Sequence, residues 1–263
     1  MGRNSIEFHK YVAAGNDFIL FESWDNALKL GEEQIIALCD RRFGVGADGI
    51  IILGSAESAD FRMNYFNADG SRGEMCGNGA RSLIKYAITK GKAGTTGSFL
   101  ADDGCHSYRI ENEVVEVEIL LQDELHPWTV PSNDCGFINT GVPHLIIPMP
   151  DISNQDLDSL GTAMNVHEAH PQGTNVNLLE NSVGSLKIRT WERGVNMETL
   201  ACGTGATASA IFANEIWGAP WPIALKFRGG ELEVDYRGNQ YWLKGPSELV
   251  FIGHISLSMR LSK

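Results

Sequence analysis

The phrase Cys-Gly-x-Gly-Ala occurs twice, as Cys76-Gly77-Asn78-Gly79-Ala80 and again as Cys202-Gly203-Thr204-Gly205-Ala206, and each copy runs straight into an apolar stretch of helical character. Such a repeat constrains the chain to two halves built on one plan. At 263 residues, 43% of them apolar, the length alone permits one large domain or two medium ones. The repeat decides for two.

Each thiol is expected at a helix N-terminus, where unpaired backbone N–H groups and the positive end of the helix dipole converge. A cysteine ionises easily there. Two such thiols brought face to face remove a proton from one side of a carbon and return one to the other, which inverts a stereocentre without a cofactor. The pattern implies a racemase or epimerase acting beside a carboxylate. An α-hydrogen in that position is a very weak acid, because its removal puts a second negative charge on an anionic group. The amide N–H groups of Gly77, Asn78, Gly203 and Thr204 are placed to absorb that charge, since the glycines let the backbone approach closely. A phosphate-cradling loop is the other meaning of glycine-rich turns before helices, but neither Gly-x-x-x-x-Gly-Lys-[Ser/Thr] nor a Gly-x-Gly-x-x-Gly turn in a βαβ setting occurs.

Period-two patterning predicts strands over residues 7–12, 17–22, 49–53, 61–66, 107–111 and 114–121, and in the second half near 144–149, 175–179, 186–192, 224–228, 231–236 and 241–244. Helices are predicted over 32–42, 80–90, 156–164 and 206–217, with Gly44, Gly91 and Gly218 as stops. The stretch from Ala206 to Trp217 has almost no polar face, so it is expected to be a buried central helix wrapped by sheet. The expected fold is α+β: two pseudo-symmetric domains, each a curved, mainly antiparallel sheet or barrel around one central helix. The boundary falls after Leu121, where the alternation is lost and Pro127 enters. This gives residues 1–121 as the first half, rejoined by a returning strand over 250–263, and 122–249 as the second. Closure over a substrate would hinge near residues 121–127.

There are 33 acidic and 21 basic residues, a net charge of −12, which argues against a nucleic-acid groove or an anionic membrane surface as partner. A small-molecule substrate fits better. No signal-like stretch follows Met1-Gly2-Arg3-Asn4-Ser5, and no run approaches the roughly 20 apolar residues that span a bilayer, so a cytoplasmic location is expected. The five cysteines include no Cys-x-x-Cys pair, hence no metal is called for and free thiols in a reducing compartment are expected. Cys39, Cys105 and Cys135 read as small buried hydrophobes.

The ordered set Gly15-Asn16-Asp17-Phe18, Phe66-Asn67-Ala68-Asp69-Gly70-Ser71, Met75-Cys76-Gly77-Asn78-Gly79-Ala80-Arg81, Pro143-His144, Glu192-Arg193-Gly194 and Glu198-Thr199-Leu200-Ala201-Cys202-Gly203-Thr204-Gly205-Ala206 resembles the cofactor-independent diaminopimelate epimerases along essentially the whole chain. The resemblance implies interconversion of LL- and meso-2,6-diaminoheptanedioate on the route to lysine and to a peptidoglycan precursor, with Cys76 and Cys202 as the catalytic pair and no cofactor. It also implies that Asn16, Asn67, Asn175, Glu192 and Arg193 hold the distal, non-reacting end of the substrate. An ammonium calls for carbonyl and carboxylate oxygens, and a carboxylate for a guanidinium fork and amide donors. Val142 departs from the family, many of whose members carry Asn before the Pro-His step, and the spacing from Arg193 to Cys202 is a residue longer than in some relatives. Homodimers occur in the family. Two alternatives stay open on the residues: a basic-amino-acid racemase with the same thiols and a different distal pocket, and a redox sensor whose two cysteines form a disulfide.

Overall fold

Branched and aromatic residues make the strands β1 (Ser5–Ala13), β2 (Asn16–Ser23), β3 (Gly49–Gly54) and β4 (Phe61–Asn67), and the continuous burial of β3 and of the centres of β1 and β2 marks a sheet covered on both faces. A computed structural model describes residues 5–73, 75–130, 133–166, 171–182 and 185–256. Helix α1 (Glu32–Cys39) lies between β2 and β3, and α2 (Gly77–Thr89) precedes β5 (Thr96–Leu100), β6 (Cys105–Glu111) and β7 (Val114–Ile119). The second half runs β8 (His126–Val130), β9 (Asn133–Asn139), β10 (Pro143–Pro148), α3 (Leu157–Met164), β11 (Asn175–Ser182), β12 (Ser185–Glu192), β13 (Met197–Thr199), α4 (Gly203–Trp217), β14 (Ile223–Phe227), β15 (Gly230–Arg237) and β16 (Gln240–Gly245), followed by β17 (Glu248–Ser256).

The chain divides into two compact units, Met1–Val117 with Pro246–Lys263, and Glu118–Gly245. In the first, the pairing path is β17-β1-β2-β3-β4-β5-β6-β7, with β2–β3 and β4–β5 parallel and every other pair antiparallel. In the second it is β8-β9-β10-β11-β12-β14-β15-β16, with β10–β11 and β12–β14 parallel and every other pair antiparallel. The two paths therefore carry the same order of parallel and antiparallel pairs, and a helix makes each parallel crossover, as parallel pairing demands. This is the mixed, mainly antiparallel α+β architecture expected from the repeat.

Helix α2 packs against β1 to β4, and α4 against β9 to β12 and β14 to β16. Every residue of α4 from Gly203 to Ala213 is buried, as its lack of a polar face requires. On the other side of each sheet a short helix closes a smaller core. Ile35, Leu38 and Cys39 of α1 meet Phe8, Ile19, Phe21, Ile50 and Ile52, while Leu157 of α3 meets Leu145, Ile147, Val176, Leu178 and Trp191.

Several boundaries differ from expectation. Helix α1 stops at Cys39 rather than Arg42, because Asp40 Oδ1 accepts from the N–H groups of Arg42 and Phe43, both at 2.7 Å, a local turn that competes with helix continuation. β7 ends at Ile119. Helices α2 and α4 begin three residues earlier than the apolar pattern, at Gly77 and Gly203. Residues 257–263 of the expected returning strand lie outside the described residues; β17 pairs antiparallel with β1 from Ser5↔Ser256 to Val12↔Glu248. Among the described residues no helix is long and apolar enough to cross a membrane.

Candidate active site

Because the helices start at the glycine, each cysteine of the repeated phrase is an N-cap, Cys76 at φ −127°, ψ 112° and Cys202 at φ −128°, ψ 117°. An N-cap in extended conformation sets its side chain over the first-turn amides, which have no partner inside the helix. At the third residue after each cysteine a side chain would be short of space, more so in the second unit. A Cβ on Gly79 would lie 2.8 Å from Ile51 Cδ1, and one on Gly205 would lie 2.6 Å from Asn177 Oδ1 and 3.2 Å from His144 Cε1.

In the first unit Cys76 is partly exposed and its Sγ accepts from the Gly79 N–H at 3.4 Å. Gly77 and Asn78 form the buried first turn. The Asn78 side chain donates from Nδ2 to Asn16 Oδ1 at 2.5 Å and accepts at Oδ1 from Arg81 Nη2 at 2.6 Å. Asn16, the first residue of β2, donates in turn to Asp48 Oδ2 at 3.1 Å. Asp48 is anchored by Arg41 Nη2 at 2.6 Å, and Arg41 also grips both oxygens of Asp17 at 2.7 and 2.9 Å. Partial burial pushes the Asp17 carboxyl up, but Arg41 and Lys10 beside it outweigh that and hold it at about 2. Asn67 ends β4 in a turn of its own, its amide N–H bonded to Ser71 O at 2.9 Å and its Nδ2 donating to Ser71 Oγ at 3.0 Å. Asp48 joins Asn16 to the turn that follows Asn67, since its carboxylate holds Asn16 while its backbone carbonyl accepts from Ala68 N–H at 3.1 Å.

In the second unit Cys202 is buried, and its Sγ lies 3.4 Å from Thr204 Oγ1. Thr204 Oγ1 is 2.9 Å from His144 Nε2, and Asn177 Nδ2 donates to His144 Nδ1 at 3.0 Å, which fixes the acceptor side of the ring. Full burial drives the His144 imidazole down to about 3, so it is neutral at ordinary pH. Asn175 contacts His144 Nε2 at 3.4 Å and accepts from the Arg193 backbone N–H at 2.8 Å. The Arg193 guanidinium reaches the carbonyls of Gln172 and Gly173 through Nη1, at 3.1 and 3.3 Å. Glu192 accepts from Thr199 Oγ1 at 2.6 Å.

The structure thus joins Cys76, Gly77, Asn78 and Asn16 in one network and Cys202, Gly203, Thr204, Asn175 and Arg193 in another, with Asn67 and Glu192 each tied to a hydroxyl nearby. It corrects one cysteine: Cys39 and Cys135 are buried, but Cys105 opens β6 on the surface. Several residues of these networks carried no role in the sequence analysis, His144, Arg81, Asp48, Arg41 and Asn177 among them. His144 and Arg81 stood inside quoted phrases, and a charged or titratable residue embedded in an apolar helix, as Arg81 is, was the available signal. Asp48 gave none.

Comparison with known proteins follows the same outline. The family model described as diaminopimelate epimerase matches residues 8–119 and 136–250. The diaminopimelate epimerase of Flavobacterium psychrophilum is 39% identical, with 94% of this chain and 98% of that protein covered, and that of Chlorobaculum tepidum is 37% identical, with 93% and 99% covered. Among solved structures, a PhzF-family phenazine biosynthesis protein of Bacillus anthracis superimposes with a TM-score of 0.71 at 16% identity over 95% of this chain and 99% of that one. A hydroxyproline epimerase of Agrobacterium vitis gives 0.71 at 12% identity over 97% and 93%. These two share the fold. The end-to-end relatives and the family match on both halves make this chain a member of the diaminopimelate epimerase family.

Proposed function

We propose that the chain interconverts LL- and meso-2,6-diaminoheptanedioate by a two-base mechanism, with Cys76 and Cys202 as the catalytic residues. The observation that carries this reading is that both cysteines occupy the same N-cap, with backbone angles agreeing within 5°, at the start of a buried helix in matching topology. In one direction a thiolate removes the α-proton and becomes a thiol, while the other thiol delivers its proton to the opposite face of the carbon and is left as the thiolate. Reversal exchanges the roles, and the two sulfurs hold one proton between them.

The planar intermediate carries its extra charge on the reacting carboxylate. The first-turn N–H groups of Gly77, Asn78, Gly203 and Thr204 are the donors for it, preorganised by the helices and worth on the order of several kcal/mol in a water-poor site. Asn16, Asn67, Asn175, Glu192 and Arg193 hold the distal amino-acid end. Arg193 supplies the guanidinium fork for its carboxylate, and the asparagine oxygens with Glu192 serve its ammonium.

The substrate places the protein in lysine and peptidoglycan precursor biosynthesis, in the cytoplasm, where thiols stay reduced. Nucleic acid and membrane are not partners of so acidic a chain. A homodimer is supported by the run Leu249, Val250, Phe251 and Ile252 of β17, all exposed apolar side chains. The test is direct: purified protein given LL-diaminopimelate forms the meso isomer and stops at a mixture of the two, and it leaves L-lysine, L-ornithine and L-histidine unchanged. Racemisation of those three at comparable rates would sink the substrate assignment.

A further inference from the structure

Arg81 is fully buried in α2, five residues beyond Cys76, and Arg81 and Trp191 are among the largest side chains wholly removed from solvent. Among the described residues no carboxylate pairs with it. Its Nη1 donates to Gly77 O at 3.1 Å and its Nη2 to Asn78 Oδ1 at 2.6 Å, while Nε has no hydrogen-bond partner. A guanidinium buried without a counter-ion is expensive, and truncation to a neutral group would relieve it. Burial pulls Arg81 down only to about 10, with the Cys76 sulfur acting the other way, so it stays a cation.

The second unit shows that the fold does not need this charge. Five residues beyond Cys202 stands Thr207, whose Oγ1 donates to Gly203 O at 3.2 Å, the equivalent of the bond Arg81 makes to Gly77 O. A hydroxyl therefore suffices for the backbone. What arginine adds is a positive charge on the first turn of the helix that Cys76 caps, held at Gly77 O and Asn78 Oδ1, and a directional amide chain. Arg81 donates to the Asn78 oxygen, Asn78 Nδ2 to the Asn16 oxygen, and Asn16 Nδ2 to the Asp48 carboxylate. A cation at one end and an anion at the other fix how both amides lie.

The other charges on the strands packed against α2 are spoken for. Lys10 pairs with Asp17 at 2.8 Å and Arg41 with Asp48 at 2.6 Å. Glu7 pairs with Lys90 at 2.6 Å and Glu22 with Lys92 at 3.4 Å, while Arg62 meets Asp102 at 2.7 Å. Cys76 is the titratable group whose charge acts on Arg81.

We infer that Arg81 is a positioning residue which holds Cys76 as the resting thiolate and, through Asn78 and Asn16, sets the orientation of the amides that meet the substrate. This deepens the two-thiol reading and rests on it. The experiment is site-resolved alkylation of the free enzyme with iodoacetamide across pH, each cysteine followed by peptide mass spectrometry, in the wild type, Arg81→Lys and Arg81→Gln, with far-UV circular dichroism to confirm folding. Cys76 in the wild type is expected to reach its half-maximal rate at lower pH than Cys202. In Arg81→Gln the Cys76 rate at neutral pH falls about tenfold relative to Cys202, the change expected when one unit of thiolate stabilisation is lost. Arg81→Lys, which keeps the charge, restores most of it.

Loosening of α2 would expose Cys76 and raise its rate relative to Cys202 on α4, the opposite of the expected fall, so a structural role does not imitate this result. An unchanged ratio in folded Arg81→Gln overturns the inference. If that variant does not fold, a wild-type Cys76 that ionises no earlier than Cys202 overturns it. Because alkylation needs no substrate, a protein that fails to epimerise diaminopimelate yet shows the Arg81 effect refutes the function and keeps the inference, and the converse result does the reverse.

Discussion

The two units set a cysteine on the same backbone and support it with opposite kinds of polar network. Beneath Cys76 the chain of hydrogen bonds runs from a buried cation, Arg81, through two amides to an anion, Asp48, and on to Arg41 at the surface. Beneath Cys202 the side chains joined to one another are neutral, namely Thr204, a histidine kept uncharged by burial, Asn175, Asn177 and Thr190. The cation Arg193 enters through its backbone N–H, its guanidinium lying on the carbonyls of Gln172 and Gly173. Backbone repetition thus conserves where the sulfur sits and leaves its electrostatics to vary. A reaction that begins with one thiolate and one thiol calls for such inequality, because two identical sites would share the proton at random.

The largest effect that bears on this comparison is loss of either sulfur. Cys76→Ser and Cys202→Ser each lower epimerisation by roughly 10³-fold or more, since a serine hydroxyl neither ionises nor donates in the same range. A coupled assay of meso-diaminopimelate formation reads it, and a variant that kept a tenth of wild-type activity would break the equivalence of the two units.

Next comes acid stability, which separates the neutral network from the ionic one. His144 is held near 3 when folded and titrates near 6.5 when unfolded. Between those values the unfolded chain binds a proton that the folded chain refuses, so the stability present above 6.5 is lost as pH falls toward 3. Relative to His144→Asn, the wild type loses roughly 3 kcal/mol more between pH 7 and pH 4. Paired denaturant titrations of the two proteins isolate this from the carboxylates they share; parallel pH curves would show that the imidazole is not held neutral.

Smaller still is the contrast between the matched glycines. Alanine at Gly205 presses on Asn177 Oδ1, which is pinned by the Thr190 hydroxyl at 2.9 Å, and on the His144 ring. Alanine at Gly79 meets the terminal methyl of Ile51, which can turn aside. Gly205→Ala is expected to destabilise by about 2 kcal/mol and Gly79→Ala by about half of that; thermal unfolding in the reverse order would show that the network around His144 is the softer one. The smallest effect lies at the outer end of the ionic chain. Arg41 is 58% exposed, so Arg41→Ala lowers stability by under about 1 kcal/mol, and less in high salt.

The sequence announced some of this and hid the rest for identifiable reasons. Long strands such as β2 and β11 were legible because apolar side chains dominate them. β5 was not, having Gly97 inside and little alternation in Thr96–Leu100, and β8, β9 and the three-residue β13 carry too few apolar residues to stand out. The helix starts were read late because glycine is a poor helix former, and the glycines of the first turn are there for close approach. Repetition gave away the two cysteines. The polar networks were hidden because their links join residues far apart in sequence: Asn16 meets Asn78 and His144 meets Thr204 across about sixty positions each. No local pattern records such a meeting.

The central claim is that the base and the acid are different sulfurs, and the fate of solvent deuterium tests it most directly. In deuterium oxide, at early times and starting from either isomer, the account predicts deuterium at the α-carbon of the product and none in the remaining substrate, because the sulfur that takes the proton is not the one that delivers its replacement. Equal early labelling of substrate and product pools would mean that one group performs both transfers, and would contradict it.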